Sequence, residues 1–233
     1  MFIREFFYKK PEMILIAAGA AGSFLLFIIQ RAFGVPSFSW AALTMLYIAL
    51  AIAAGMAIRS LYQRAHIDGL TALWNRRYFE LRLTEELQRL KRTNSPLCIA
   101  LIDTDSFKDV NDAYGHVTGD TLLCKIAIAI RRNTRQFDIP CRWGGDEFAI
   151  IFPETNIAGA LAVAERIRTS VDSRKTCFYS TTLSIGIVQV GEKDDAASIL
   201  HEVDKALYKA KELRNTVYIG TCHSPGGCVP VIM

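Results

Sequence analysis

Arg142-Trp143-Gly144-Gly145-Asp146-Glu147-Phe148 is the stretch on which the reading of this chain turns. Cys141 precedes it, and Ala149-Ile150-Ile151-Phe152 follows as a strand-like apolar run. Two glycines permit positive φ and let a ligand approach the backbone closely. Two carboxylates then stand at the end of a strand, where hard cations and phosphates are met. At ordinary usage of about 5–7% per residue, the five residues from Gly144 to Phe148 are expected by chance on the order of 10⁻⁴ times in a chain of this length.

Working outward, residues 137–142 and 147–152 flank the Gly-Gly turn as the arms of a hairpin. Residues 97–102 form a buried-strand run that ends in Asp103-Thr104-Asp105. Residues 180–190 read as a strand and 216–219 as a short last one. Helical spacing covers 68 to about 92, opened by Asp68-Gly69-Leu70-Thr71 and broken by Asn94-Ser95-Pro96. A short helical piece carries Phe107, Val110 and Asn111, and Tyr114-Gly115 ends it. Further helices are expected from near Gly119-Asp120 to Arg132, over 156–171 and over 196–213. This order, with antiparallel pairing around the hairpin, predicts an α+β fold: a ferredoxin-like layer whose sheet contains antiparallel strands and carries helices.

The chain of 233 residues is 51% hydrophobic, with a mean hydropathy of +0.21. The excess is local. Residues 13–29 and 35–58 carry no charge, and each run is about long enough to cross a ~30 Å hydrocarbon core as a helix. Residues 30–38 are too few for a sensor domain, so a transmembrane helical hairpin is expected over 12–58. A secretory signal peptide is the other reading of the first run, against which the second apolar run argues. Arg4, Lys9 and Lys10 precede the first run, Arg59, Arg64, Arg76 and Arg77 follow the second, and Arg31 stands in the loop. By the positive-inside rule both termini lie in the cytoplasm and the bilayer is a partner.

The remaining divisions are a cytoplasmic segment 1–11, a linker 59–67, a domain 68–219 and a tail 220–233 expected to be disordered. Six cysteines, at 98, 124, 141, 177, 222 and 228, lack paired metal-type spacing; four read as small core residues of a reducing compartment. A net charge of +4 does not by itself indicate nucleic acid, and no nucleic-acid partner is expected.

Asp103 at a strand end and Asp146 in a hairpin of the same sheet make a hard-oxygen site suited to Mg²⁺, to which the Thr104 carbonyl could add a ligand. Such a site can align a nucleoside triphosphate as an oxygen attacks phosphorus. An acidic turn is the plainer alternative, since Asp and Gly favour turns anyway. Lys108 could point a cation at the same phosphates, or be a solvated lysine. Asn111 and Asp120 bracket a Gly-bounded turn. A carboxylate there can accept from both N1–H and the N2 amino group of guanine, which adenine cannot match; helix capping would explain the same residues. His116 could meet a ribose or phosphate, or pack on the turn.

Five ordered motifs now stand together: Asp68-Gly-Leu-Thr-Ala-Leu-Trp-Asn75-Arg76-Arg77, the run from Asp103 through Lys108, Asn111 and His116 to Asp120, Arg142 to Phe148, Leu183-Ser-Ile-Gly-Ile187, and Asp204 to Lys211. The stretch from about 66 to 219 resembles a GGDEF domain, the family of diguanylate cyclases. The resemblance implies a fold similar to nucleotidyl-cyclase and polymerase palm domains, binding one GTP and Mg²⁺ (or Mn²⁺) per site. Two facing protomers of a homodimer would hold their GTP so that each 3′-hydroxyl attacks the α-phosphate of the other, giving cyclic di-GMP and two pyrophosphates. Carried over, Asp103, the Thr104 carbonyl and Asp146 are metal ligands, Asp146 is the proton acceptor and Glu147 supports the acidic site. Asn111, His116 and Asp120 hold the nucleotide, Lys108 stabilises phosphate charge, and Lys211 and Arg214 stand where substrate contacts are expected. Arg135-Gln-Phe-Asp138 matches the family's inhibitory RxxD site, with Arg166 as a secondary arginine for bound cyclic di-GMP.

Two departures accompany the match. The family's Lys-x-x-Gly-Arg-Asn is here Lys211-Glu-Leu-Arg214-Asn215, without the glycine, and Ala72 replaces a frequent glycine. The expectation is a diguanylate cyclase anchored in a bacterial cytoplasmic membrane. The alternatives are a catalytically weak domain that serves as a receptor for cyclic di-GMP or GTP, and a cyclase with a different nucleotide product.

Overall fold

The computed structural model describes residues 11–33, 37–171, 181–192 and 194–220. They fall into two compact units, Met1–Ala65 and His66–Met233. The described residues of the first lie in helices α1 (Pro11–Phe33) and α2 (Ser37–His66). Leu43, Met45, Leu46, Leu50 and Met56 on α2 are exposed. Ala42–His66 is the one helix among the described residues that is long and apolar enough to cross a membrane; Gly19–Ile29 is a shorter apolar stretch. Within the expected linker 59–67, residues 59–66 are the last turns of α2 and Ile67 makes an isolated bridge to Trp74. Arg4, Lys9, Lys10, Cys177, Cys222, Cys228 and the tail beyond Gly220 lie outside the described residues.

The second unit follows as β1 (Trp74–Asn75), α3 (Arg76–Thr93), β2 (Leu97–Thr104), α4 (Phe107–Tyr114), α5 (His116–Asn133), β3 (Ile139–Gly144), β4 (Glu147–Pro153), α6 (Ile157–Val171), β5 (Leu183–Gln189), α7 (Ala196–Leu213) and β6 (Val217–Ile219). The strands form one sheet in the order β1-β3-β4-β2-β5-β6. The four inner strands pair antiparallel, and β1 and β6 add in parallel at the edges. All eight residues of β2 are buried, as its central place and apolar run require.

Alternate residues of the inner strands, among them Ala100, Ile102, Phe148, Ile150, Ile185 and Ile187, pack with Leu123, Ile126 and Ile130 of α5 and with Val163 and Ile167 of α6. The opposite face receives α7 at close range. A Cβ on Gly186 would lie 2.2 Å from the Leu207 backbone nitrogen, so only glycine lets the helix settle there.

Two helix starts differ from expectation. Asp68 does not open a helix: its carboxylate accepts from the Thr71 N–H at 2.8 Å and the Thr71 hydroxyl at 2.7 Å. That local turn outcompetes the helix ladder. Trp74 and Asn75 then pair with Cys141 and Arg142, and α3 begins at Arg76 with Asn75 as its N-cap, accepting from the Tyr78 N–H at 3.0 Å. Helix α5 begins at His116 rather than near Gly119, because Gly115 alone, at φ +83°, turns the chain between α4 and α5. Asp120 therefore sits within the helix and does not cap it.

Candidate active site

The β2–β4 register sets Asp103 opposite Glu147, and β5 brings Ser184 to the other flank of Asp103. The Gly145-Asp146 turn, with Gly145 at φ +52°, places Asp146 next to Glu147. The Thr104 hydroxyl donates to the Asp146 carbonyl at 3.1 Å, fastening the turn to the end of β2. From α7, the Lys211 ammonium lies 2.7 Å from Asp103 Oδ2. Asp103 is buried, and loss of solvent pushes its carboxyl up to about 6; Lys211 opposes the rise, while the Asp146 and Glu147 charges add to it. Burial works against the charge on Lys211 as well, but the hydrogen bond and charge of Asp103, with Glu147 and Asp146, win and raise its pKa. One ammonium faces three carboxyls, so the cluster holds more acid than its own cation neutralises. That deficit suits a hard dication. Among the described residues no group of three or more His, Cys, Asp or Glu side chains is placed to hold a metal ion by itself; an ion at this corner would complete its coordination with phosphate and water, as Mg²⁺ commonly does.

Residues that spacing could not reveal hold the turn. Arg142 donates through Nε and Nη2 to the Gly145 carbonyl at 3.0 and 2.8 Å, and through Nη1 to Asp68 at 3.2 and 3.3 Å. Burial works against the Asp68 charge, but the Thr71 hydrogen bonds and Arg142 outweigh it and keep the carboxyl below its ordinary range. Trp143 sits edge-on to Phe79 at 5.2 Å, with the Arg76 guanidinium 4.3 Å above its ring. The loop 68–75 thus buttresses the hairpin.

The α4–α5 pair carries the next group. Lys108, His116 and Asp120 are exposed and make no hydrogen bond or ion pair with the acidic cluster among the described residues. Asn111 is half-buried, and its Oδ1 is fully buried without a partner. A Cβ on Gly119 would fall 2.0 Å from that oxygen, so Gly119 makes the room Asn111 uses. A buried acceptor without a partner costs about 1–3 kcal/mol.

At the β3 edge, the Arg135 N–H donates to Asp138 Oδ2 at 2.6 Å and the Asp138 N–H to the Arg135 carbonyl at 3.2 Å. Burial raises the Asp138 carboxyl, opposed by that hydrogen bond and by the Arg135 and Arg166 charges. Arg166 reaches from α6 and donates to the Asn133 carbonyl at 3.0 Å, so the three expected residues share one corner. After α7, Arg214 adopts φ +56° and ψ 155°, and its side chain makes no hydrogen bond or ion pair among the described residues.

The model of the diguanylate cyclase GGDEF domain matches residues 65–216. The chain belongs to the GGDEF family. Similar proteins are the response regulator PleD of Caulobacter vibrioides, 38% identical over 160 residues covering 66% of this chain and 35% of that one, and the diguanylate cyclase TpbB of Pseudomonas aeruginosa, 41% identical over 158 residues covering 65% and 36%. The chain thus matches about a third of the length of these curated relatives. Among solved structures, the coiled coil and GGDEF domain of DgcB from Caulobacter crescentus in complex with c-di-GMP superposes with a TM-score of 0.72 at 29% identity, covering 78% of this chain and all of that one. A TpbB structure comprising only the GGDEF domain gives 0.63 at 39% identity, covering 67% and 95%. The GGDEF signature of this chain is the turn Gly144–Phe148 that Arg142 and Thr104 pin to the sheet.

Proposed function

We propose that this chain is a membrane-anchored diguanylate cyclase that condenses two GTP into cyclic di-GMP and two pyrophosphates. The observation that carries the reading is the acidic corner: Asp103 faces Glu147 across the ladder beside Asp146, with Lys211 on Asp103. Mg²⁺ (or Mn²⁺), held by Asp103, Asp146 and the Thr104 carbonyl, would supply charge neutralisation at the phosphates when bound. Lys211, Lys108 and Arg214 meet the triphosphate. Asn111, half-buried on α4, contacts the guanine base, and Asp120 accepts from N1–H and the N2 amino group; His116 completes the nucleotide's seat. In the reaction the 3′-oxygen of one GTP bonds to the α-phosphorus of the other, the bond to pyrophosphate breaks, and the hydroxyl proton passes to Asp146. Glu147 keeps the corner acidic. Each ring closure needs two nucleotides face to face, so a homodimer is the working unit.

Cyclic di-GMP binds as a feedback ligand at Arg135, Asp138 and Arg166, where arginine forks match guanine edges and phosphates. The anchor is a two-pass hairpin of α1 and α2 in a bacterial cytoplasmic membrane, with termini and catalytic domain in the cytoplasm; it draws on the apolar helix Ala42–His66 and on the basic residues that follow the second span. The test is incubation of the full chain in nanodiscs with Mg²⁺ and GTP or ATP, products resolved by mass. Cyclic di-GMP from GTP alone is expected; an adenine-containing product would overturn the assignment of Asn111 and Asp120. One observation favours a second reading, a receptor that binds without turnover: Arg214 occupies a positive-φ position without the family's glycine. A chain that binds GTP yet releases no pyrophosphate would decide for it.

A further inference from the structure

Arg214 and Asn215 carry φ of +56° and +45° in succession. At ψ 155°, Arg214 lies in a region that is essentially glycine's own, at a cost of about 1–3 kcal/mol unless its surroundings over-determine it. Here they do. The Asp105 carboxylate is buried and accepts from the Asn215 N–H at 3.0 Å, from the Ser184 hydroxyl at 2.6 Å and from the Thr182 hydroxyl. On its other side Asn215 accepts from Arg168 Nη1 through its carbonyl at 3.1 Å and its Oδ1 at 2.8 Å. Arg168 is itself steadied by Glu165 at 2.8 Å. Asn215 is thereby gripped at its N–H, its carbonyl and its side chain, and the residue before it has no conformational choice.

The placement gives the grip a purpose. Asp105 stands two residues beyond Asp103, and Asn215 four beyond Lys211, the residue bonded to Asp103. The Ser184 hydroxyl that donates to Asp105 also lies 3.3 Å from the Ala210 carbonyl, in the last turn of α7. The same carboxylate thus ties the end of β2 to the end of the helix that presents Lys211. We infer that Asp105 and Arg168 are positioning residues: they hold the glycine-type backbone at Arg214 in a chain that lacks the glycine, and so keep Lys211 and Arg214 aimed at the triphosphate. This rests on the reading of Lys211 as a phosphate contact.

The test is a binding cycle on the full chain in nanodiscs, with a non-reactive GTP analogue and Mg²⁺ as the probe, in the Arg214 and Arg214→Gly backgrounds. With Arg214 present, Asp105→Asn and Arg168→Ala are each expected to weaken binding at least tenfold, because the backbone relaxes out of its strained state. With glycine at 214 the same changes should cost less than threefold, since glycine holds that conformation unaided. Equal losses in both backgrounds, or no loss in either, would overturn the inference. Lys211→Ala separates the two levels: if it leaves binding unchanged, the phosphate-contact reading has failed; if it weakens binding while Asp105→Asn does not, the positioning role has.

Discussion

Asp103→Asn should make the metal-free domain more stable while removing its chemistry. The Asp103 carboxyl titrates near 6 in the fold against an ordinary 3.8. At 1.36 kcal/mol per pKa unit, the difference is worth about 3 kcal/mol between its protonated and ionised forms. Because the folded-state pKa is raised, this stability is fully present below pH ~4, is lost as pH rises towards ~6, and stays lost above it. An amide at 103 imitates the protonated acid and cannot ionise. The variant and the parent should therefore match near pH 4, and at pH 8 in EDTA the variant should be stabler by about 3 kcal/mol, or about 6–12 °C in Tm for a domain of this size. Lys211 loses its partner, but at 42% exposure it can return to water at little cost. Urea and thermal melts of the unit His66–Met233 from pH 4 to 8 measure this, and a relative's GGDEF domain has been solved by itself. A pH-independent difference, or a variant no stabler than the parent at pH 8, would refute the assignment of stored acidity to Asp103.

Other changes probe the supports. Arg142→Ala frees the Gly145 carbonyl and Asp68, and should cost about 1.5–3 kcal/mol of stability and at least tenfold in cyclase rate, read by melts beside pyrophosphate release. Ala72, at φ +55°, should welcome glycine: Ala72→Gly is expected to stabilise by about 1 kcal/mol with activity unchanged, and a loss in the melt would contradict the strain. Glu86, 3% exposed and 2.9 Å from Arg82, closes a buried ion pair on α3. Glu86→Ala should cost about 1.5–3 kcal/mol by removing a charge-assisted hydrogen bond, with Glu85, 3.4 Å from Arg82, still facing the arginine, whereas Arg82→Met with Glu86→Leu should recover most of that loss in the same melt.

The hairpin, β2 and β5 were legible in the sequence as apolar runs bounded by turn residues, and α6 and α7 by helical periodicity over many residues. Strand β1 was not: two residues have no period, and Trp74-Asn75 extend only because β3 lies beside them. The true start of α3 was hidden for a related reason, since Asp68 and Thr71 look equally like a helix start and a turn. In the site, Asp103, Asp146 and Glu147 were readable as carboxylates at strand ends. The residues that aim them were not. Arg142 meets Asp68 from 74 residues away and Asp105 meets Asn215 from 110, and no local spacing encodes either contact. The missing glycine before Asn215 could be seen in the sequence, but the clamp that stands in for it could not.

The most direct test of the account is cyclic di-GMP formation by the full chain in nanodiscs, at saturating GTP and Mg²⁺, beside Asp146→Ala protein shown by its melt to be folded. The account predicts product from the parent and a loss of at least a hundredfold in the variant, since proton acceptor and metal ligand go together. Equal product from both proteins would contradict it.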